Sequence, residues 1–195
     1  GGSGKSTLID QLVFRYMQDP RNEKRKIAIF AVDPSSSASG GALLADRMSY
    51  AYATDKKWVD TSRIYIRSFA SRGFGEGLSG ALPDAIRIFR AAGYDILVET
   101  YGTGQADSGI AKWVDQTVFV TTPDFGGEAQ MRKEALLDLP DTLVVLNKND
   151  LTGALRASSL LKSKIEEKRL FLTTAAEQND PGLQALYERL RSDFP

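Results

Sequence analysis

The sequence opens with Gly1-Gly2-Ser3-Gly4-Lys5-Ser6-Thr7, and the apolar residues Leu8, Leu12, Val13 and Tyr16 follow at the spacing of one helix face. A glycine-rich loop that ends in Lys-Ser and runs directly into a helix is typical of a phosphate-binding loop, or P-loop. The backbone N–H groups of such a loop point at phosphate oxygens, and the helix dipole favours their negative charge. The opening stretch therefore predicts a P-loop in an α/β fold.

The residues of this loop have separate expected roles. Lys5 should reach the β and γ phosphates, and the Ser6 hydroxyl should bind Mg²⁺. The complete pattern needs another glycine five residues before Gly4 and a strand before that, so we expect a trimmed piece of a longer chain. A flexible linker would explain the glycines alone, but not the lysine, serine and helix that follow them. The residues expected to contact the phosphates are Gly1, Gly2, Ser3, Gly4, Lys5, Ser6 and Thr7.

Outward from the P-loop, short β-rich runs alternate with amphipathic helical stretches. This alternation predicts one P-loop domain over residues 1–195, with a mainly parallel sheet covered by helices on both faces. The predicted strands are Lys26–Val32, Ile64–Arg67, Asp95–Glu99, Thr117–Thr121, Thr142–Leu146 and Arg169–Thr173. The predicted helices are Ser6–Gln18, Leu82–Ala92, Gly127–Asp138, Ala154–Glu167 and Leu183–Ser192.

The composition excludes several classes of function. Lys plus Arg and Asp plus Glu both total 25, so the net charge does not favour nucleic acid or an acidic membrane surface. The sequence has no Cys and no His, which excludes disulfides and argues against a zinc or nickel site. No apolar run approaches the ~20 residues of a membrane helix. We therefore expect a soluble, cytoplasmic protein, or one of the mitochondrial matrix in a eukaryote.

Acidic residues stand at the carboxyl ends of two predicted strands, as Asp33 and Glu99. Because ligands bind at the carboxyl ends of parallel strands, both carboxylates should face the phosphates. Mg²⁺ takes one or two carboxylates together with phosphate oxygens and water, so both residues are candidate metal ligands. Asp46 is a third candidate. Alternatively, Asp33 before Pro34 forms a simple turn, and Asp46 is an ordinary surface acid.

The tetrapeptide Asn147-Lys148-Asn149-Asp150 directly follows a predicted strand. A carboxylate at Asp150 can accept hydrogen bonds from N1–H and the 2-amino group of guanine, and adenine offers neither donor. Lys148 should lie along the base plane, and Asn147 should tie this loop to the P-loop. At the end of a strand and downstream of a P-loop, the tetrapeptide predicts guanine recognition.

Backbone N–H groups of two further loops are expected to meet the nucleotide. Gly102 stands three residues after Glu99, where GTPases let an amide contact the γ-phosphate. Thr174 and Ala175 occupy the place where an amide would meet guanine O6, although a tight turn alone would also explain such small residues. Gln105 is a candidate for orienting the attacking water.

These stretches resemble the MeaB and ArgK group of cobalamin-mutase chaperone GTPases, especially the GTPase domain of fused isobutyryl-CoA mutases. The resemblance covers nearly the whole chain. It rests on Val32-Asp33-Pro34-Ser35, Ser39-Gly40-Gly41-Ala42-Leu43-Leu44 with Asp46-Arg47, Val98-Glu99-Thr100 with Gly102 and Gly104-Gln105, and Asn147-Lys148 with Asp150. The fused form is matched in particular by Thr122-Pro123-Asp124-Phe125-Gly126 and by Ala175-Ala176 with Asn179-Asp180.

The resemblance implies a GTPase that gates the delivery of adenosylcobalamin to an acyl-CoA mutase and protects the loaded enzyme. It implies GTP or GDP and Mg²⁺ as ligands of this chain, with adenosylcobalamin held by the mutase partner or by other domains. A homodimer is expected for the full-length protein, with neither nucleic acid nor membrane as a partner. The family's metal ligands map onto Ser6, Asp33, Asp46 and Glu99.

We interpret the reaction as attack of water in line on the γ-phosphate, with Lys5 and Mg²⁺ stabilising the charge on its oxygens. Lys5, Glu99 and Gln105 form the candidate catalytic set. Two alternatives stay open from the sequence. A P-loop kinase would use the same loop and carboxylates on an acceptor other than water, and a non-hydrolysing scaffold would only sense GTP.

Overall fold

The structure is a computed structural model of the 195-residue chain. It describes residues 2–33, 50–59, 61–70, 80–100, 109–124, 137 and 141–193. The chain divides into two compact units, one formed by Ile9–Trp113 and the other by Gly1–Leu8 with Val114–Pro195. Within the described residues, each unit contains a parallel sheet of three strands together with helices. The predicted parallel α/β class is therefore confirmed.

The sheet of the Ile9–Trp113 unit has the strand order β2-β1-β3. Strand β1 (Lys26–Asp33) lies in the middle, with β2 (Ile64–Ala70) and β3 (Tyr94–Thr100) parallel to it on either side. Residues 27–32 of β1 are all buried, as expected for a central parallel strand whose two faces are both covered. The register pairs Val32 with Thr100, so β1 and β3 end side by side.

Three α-helices beside this sheet fall within the described residues. Helix α1 spans Lys5–Gln18, α2 spans Lys56–Val59 and α3 spans Leu82–Ala91. Val13 and Met17 of α1 are buried in one cluster with Ile27 and Ile29 of β1. On α3, the ring of Phe89 packs against aromatic rings of all three strands, Phe30, Tyr65 and Tyr94.

The second sheet has the order β4-β5-β6, again all parallel. Strand β4 is Thr117–Thr121, β5 is Thr142–Leu146 and β6 is Leu170–Leu172. All five residues of β5 are buried, so this strand is the core of the unit. Helices α4 (Ala154–Lys162) and α5 (Pro181–Asp193) belong to it, and Leu161 of α4 packs in the same cluster as β5.

Several predicted bounds shift by one to three residues, the sequence pattern does not predict the short helix α2, and the largest revision is at the end of α4. The predicted helix Ala154–Glu167 ends at Lys162, because the N–H of Lys164 turns back to the carbonyl of Leu161 and tightens the last turn. Ile165 is nevertheless buried at the helical spacing from Leu161, which is why the sequence pattern continued. The predicted helix Gly127–Asp138 lies outside the described residues except for Leu137.

Within the described part of the chain, no helix has the length and apolar character needed to span a bilayer.

Candidate nucleotide-binding site

The described part of the P-loop shows why two of its positions are glycine. Gly2 and Gly4 have φ angles of +97° and +78°, in the left-handed region that other residues rarely adopt. At Gly4 the surroundings exclude a side chain as well, since a Cβ atom there would overlap Nδ2 of Asn147. The carbonyl of Gly4 accepts the N–H of Leu8 at 2.9 Å, so the loop passes directly into α1. Gly1 lies outside the described residues.

Lys5 is the first residue of α1, and Ser6 and Thr7 follow it in the first turn. The Lys5 ammonium donates a hydrogen bond to Oγ of Ser3 at 3.2 Å. The lysine charge thus lies back along the loop whose amides the sequence predicts to hold phosphate. A helix N-terminus and a lysine at the same loop are favourable for a bound anion.

Asn147 connects three parts of this unit through one buried side chain, which is 2% exposed. Its Nδ2 donates to the carbonyl of Ser3 at 2.9 Å. Its Oδ1 accepts the hydroxyl of Thr173 at 3.1 Å and the amide of Ala175 at 2.9 Å. The expected tie from Asn147 to the P-loop is therefore present, and the same side chain also holds the loop after β6.

The rest of the tetrapeptide forms a turn at the end of β5. Lys148 has a φ of +59°, and its carbonyl accepts the N–H of Leu151 at 3.0 Å. The amide of Asn149 donates to the carbonyl of Thr173 at 3.0 Å, which fixes the turn against the end of β6. Asp150 is exposed, so its carboxylate is accessible to a base.

We call Thr173-Thr174-Ala175-Ala176 the base loop. Its Thr174 amide donates to Oδ2 of Asp180 at 3.1 Å, and its Ala175 amide donates to Asn147. The two amides that the sequence assigns to the nucleotide therefore have protein acceptors in this structure, and their contact with guanine stays a prediction. In the sequence, Asp180 stands out only as part of the resemblance to the fused mutases. An aspartate before a proline at the start of an amphipathic helix is a cap signal that could have identified it.

Two candidate metal ligands belong to the Ile9–Trp113 unit. Asp33 is the last residue of β1, and Glu99 is the next-to-last residue of β3. Glu99 is only 8% exposed, and its Oε2 accepts a hydrogen bond from the hydroxyl of the buried Tyr50. The side-by-side strand ends confirm that these two positions share one edge of the sheet. Asp46, Gly102 and Gln105 lie outside the described residues.

The donor chemistry of the predicted metal set fits Mg²⁺. It consists of the Ser6 hydroxyl and the carboxylates of Asp33, Asp46 and Glu99, which are all hard oxygen ligands. A carboxylate as buried as that of Glu99 is costly unless a donor or a cation accompanies it. Among the described residues no three His, Cys, Asp or Glu side chains form a metal-sized group, so the set as a whole stays a prediction.

The arrangement of a P-loop and an Asn-Lys-x-Asp turn around one asparagine agrees with a comparison to known families. Residues 1–184 match the family model described as methylmalonyl-CoA mutase-associated GTPase MeaB. The chain belongs to the MeaB family. The parallel α/β structure and the P-loop at the start of α1 are in keeping with this membership.

Several proteins resemble this MeaB-family chain over most of its length. Fused isobutyryl-CoA mutase of Paraburkholderia xenovorans is 38% identical over 202 residues, which cover 97% of the chain and 16% of that protein. Fused isobutyryl-CoA mutase of Geobacillus kaustophilus is 36% identical over 97% of the chain and 18% of its own length. A Pyrococcus horikoshii protein provisionally named as a GTPase is 43% identical over 78% of the chain and 45% of its own length. The chain thus spans less than a fifth of the fused mutases that it matches.

Proposed function

We propose that this chain binds and hydrolyses GTP with Mg²⁺, and that it acts as the switch of an adenosylcobalamin-dependent acyl-CoA mutase. The observation that carries the nucleotide part is the side chain of Asn147. It is bonded to the P-loop at Ser3 and to the base loop at Thr173 and Ala175. The P-loop would bind the triphosphate and the base loop would contact the base. Asn147 connects these two loops through its hydrogen bonds.

Selection of guanine is assigned to Asp150 and the base loop. The exposed carboxylate of Asp150 can accept from N1–H and the 2-amino group of guanine, whereas adenine would leave it without a donor. Lys148 would lie along the base plane. Thr174 and Ala175 line the loop that would meet O6, and Asn147 and Asp180 hold their amides.

The phosphates would be held by the P-loop amides and by Lys5, whose ammonium now donates to Ser3. Ser6, Asp33, Asp46 and Glu99 are the residues that would hold Mg²⁺, which when bound neutralises charge on the phosphate oxygens. Gly102 would offer its amide to the γ-phosphate, and Gln105 would orient the water that attacks it. Phosphoryl transfer requires no covalent bond to the protein. These residues would therefore act by positioning the water and the γ-phosphate and by stabilising the charge on the phosphate oxygens.

The mutase part of the proposal rests on the relatives. Proteins named as fused isobutyryl-CoA mutases contain a segment similar to 97% of this chain. We infer that GTP hydrolysis here gates the loading and protection of adenosylcobalamin, which the mutase holds rather than this chain. A homodimer of the full-length protein is part of the same proposal.

Labelled GTP tests the hydrolytic part. The full-length protein with Mg²⁺ should release labelled inorganic phosphate, and Lys5→Ala should abolish productive triphosphate binding because the loop loses its cation. Label on a protein or small-molecule acceptor would indicate a kinase instead. Tight GTP binding with no phosphate release, even with a cobalamin-dependent mutase present, would indicate a GTP-sensing scaffold. Unchanged turnover in Lys5→Ala would mean that this loop is not the site.

A further inference from the structure

Asp180 lies between the base loop and helix α5, and its carboxylate is used on both sides. The residue is 8% exposed. Its Oδ1 accepts the amide of Leu183 at 2.7 Å, and its Oδ2 accepts the amide of Thr174 at 3.1 Å. One carboxylate thus bonds the start of a helix and a loop of the candidate site.

On the helix side, Asp180 acts as an N-cap. It precedes Pro181, the first residue of α5, and Leu183 is the third residue of that helix. An N-cap side chain ordinarily accepts an amide of the second or third helical residue through a single oxygen. Serine supplies that oxygen about as well as aspartate. The bond to Thr174 is therefore additional to what capping requires.

The first turn of α5, which Asp180 caps, packs closely against the end of β6. A Cβ atom at Gly182 would overlap the carbonyl oxygen of Leu172, so the first turn of α5 lies directly against the end of β6. The same Cβ atom would stand 3.2 Å from Oδ1 of Asp180. The cap and the strand end therefore both lie close to the backbone of Gly182.

The base loop is consequently held from two directions. Asn147 accepts the amide of Ala175, and Asp180 accepts the amide of the preceding residue, Thr174. A turn closes the loop, since the amide of Glu177 donates to the carbonyl of Thr174 at 2.8 Å. Losing either acceptor would free an amide and loosen the loop, but only Asn147 also contacts the P-loop.

We propose that Asp180 is a positioning residue for guanine recognition: by accepting the Thr174 amide it fixes the base loop so that the next amide, that of Ala175, can be shared between Asn147 and O6 of the base. This inference rests on the proposed function. Asp180 acts through Thr174 and does not itself contact the nucleotide. Substitution of Asp180 should therefore weaken the hydrogen bond to guanine O6. It should leave the hydrogen bond between Asp150 and the 2-amino group intact.

The test compares two ligands with wild type and Asp180→Ser. GDP offers O6, whereas 6-thio-GDP keeps N1–H and the 2-amino group but replaces O6 with sulfur, a weaker acceptor. Serine keeps a capping oxygen for Leu183 but has no second oxygen for Thr174. We expect Asp180→Ser to fold but to melt below wild type, because the part-buried Thr174 amide loses its charged acceptor. It should bind GDP about tenfold more weakly, because the loosened base loop has to be ordered on binding. Its preference for GDP over 6-thio-GDP should shrink.

Controls separate this inference from the proposed function. Asp19→Ala removes another capping aspartate, which accepts the amide of Arg21 in the other unit, and should leave both affinities unchanged.

A wild type that binds both nucleotides equally would refute the O6 contact of the proposed function. A wild type that prefers GDP, with the same preference in Asp180→Ser, would overturn the role of Asp180. Should serine prevent folding, Asp180→Asn provides the same comparison, because the NH2 group that replaces one carboxylate oxygen cannot accept an amide.

Discussion

At the scale of single residues, the side chain of Asn147 makes three hydrogen bonds that connect the loops of the candidate site. Its amide satisfies a carbonyl, a hydroxyl and a backbone N–H at once, all within one unit. A side chain with both donors and an acceptor can do this, whereas a carboxylate of the same size could not donate to Ser3. The choice of asparagine over aspartate at this position therefore follows from the hydrogen bonds.

Replacing Asn147 with alanine should damage both stability and nucleotide binding. Buried polar groups that lose their partners cost about 1–3 kcal/mol each, so the free energy of unfolding should fall by at least that much. GDP affinity should fall with it, because the two loops lose their connection. Denaturant titration and calorimetry measure the two effects. Asn149→Ala is the matched control, since Asn149 is exposed and uses its backbone amide; equal losses in the two variants would contradict this account.

Asp150→Asn should redirect the base preference. An amide can donate to the 2-oxo group of xanthine, so this variant should bind GTP more weakly and xanthosine triphosphate more tightly than wild type. The exposure of Asp150 means that folding should be unaffected. Competition binding with the two triphosphates gives the ratio directly. A variant that keeps the wild-type ratio would exclude Asp150 from base reading.

The sequence predicted Asn147 and missed Asp180 for a physical reason. Asn147 belongs to a local tetrapeptide after a strand, so its role could be inferred from chain order alone. Asp180 gains its role from a contact with Thr174 six residues back, which depends on how the loop turns. The local pattern at Asp180 indicates only a helix cap.

At the scale of loops and helices, the P-loop depends on the close approach of Gly4 to Asn147. Gly4→Ala should lower GDP affinity strongly, because it adds both backbone strain and an overlap that pushes the asparagine away. Gly2→Ala is the matched control. Its φ is also positive, but a Cβ atom there meets nothing within 4 Å. Calorimetry should rank the GDP affinity of the Gly4 variant well below that of the Gly2 variant, and similar losses in both would mean that backbone strain alone governs this loop.

A polar cluster at the start of β3 ties α1 to the sheet. The hydroxyl of Tyr16 donates to the carboxylate of Asp95, which also binds the guanidinium of Arg25 at 2.8 Å. Burial, and then the neighbouring Asp95 carboxylate, raise the pKa of Tyr16 above its ordinary value of 10.0. The folded state therefore keeps this proton to a higher pH than the unfolded chain does.

The stability of the protein should consequently depend on Tyr16 in alkaline solution. The contribution is complete below about pH 10, the ordinary value, and is lost as the pH rises toward the raised folded pKa. The free energy of unfolding should fall more steeply above that pH in wild type than in Tyr16→Phe. Tyr65→Phe, which removes a hydroxyl without a hydrogen bond among the described residues, should keep the wild-type slope. Parallel slopes in all three proteins would disprove the effect.

Element boundaries show which part of the fold could be predicted. Strands β4 and β5 have the predicted bounds, because their apolar runs are short and end at polar residues. The sequence pattern predicts the end of α4 at Glu167, and Leu161 and Ile165 keep helical spacing over that stretch. The structure buries both residues although the helix ends between them. Spacing alone therefore cannot separate a helix from a tight turn that presents the same side chains.

At the scale of the whole molecule, the proposed switch needs a partner. Neither the sequence nor the described residues supply an assigned arginine to stabilise the transferred phosphate, so hydrolysis by the chain alone should be slow, about 10⁻⁴ to 10⁻² s⁻¹. The equal numbers of acidic and basic residues leave little long-range charge to guide association. A partner would therefore act through local contacts that order the catalytic residues.

A cobalamin-dependent acyl-CoA mutase, fused or added, should accelerate GTP hydrolysis by roughly tenfold or more, because a partner that completes the site of a slow GTPase raises its rate. Because coupling of binding is reciprocal, GTP and GDP should also change the affinity of the mutase for adenosylcobalamin by different factors. Phosphate release measures the rate of GTP hydrolysis, and cobalamin absorbance measures the binding of adenosylcobalamin to the mutase. Lys5→Ala should remove the effect of GTP on cobalamin without removing the mutase itself. If the mutase changes neither the rate of hydrolysis nor its own cofactor affinity with nucleotide, then the chain hydrolyses GTP for some other purpose and the switch is wrong.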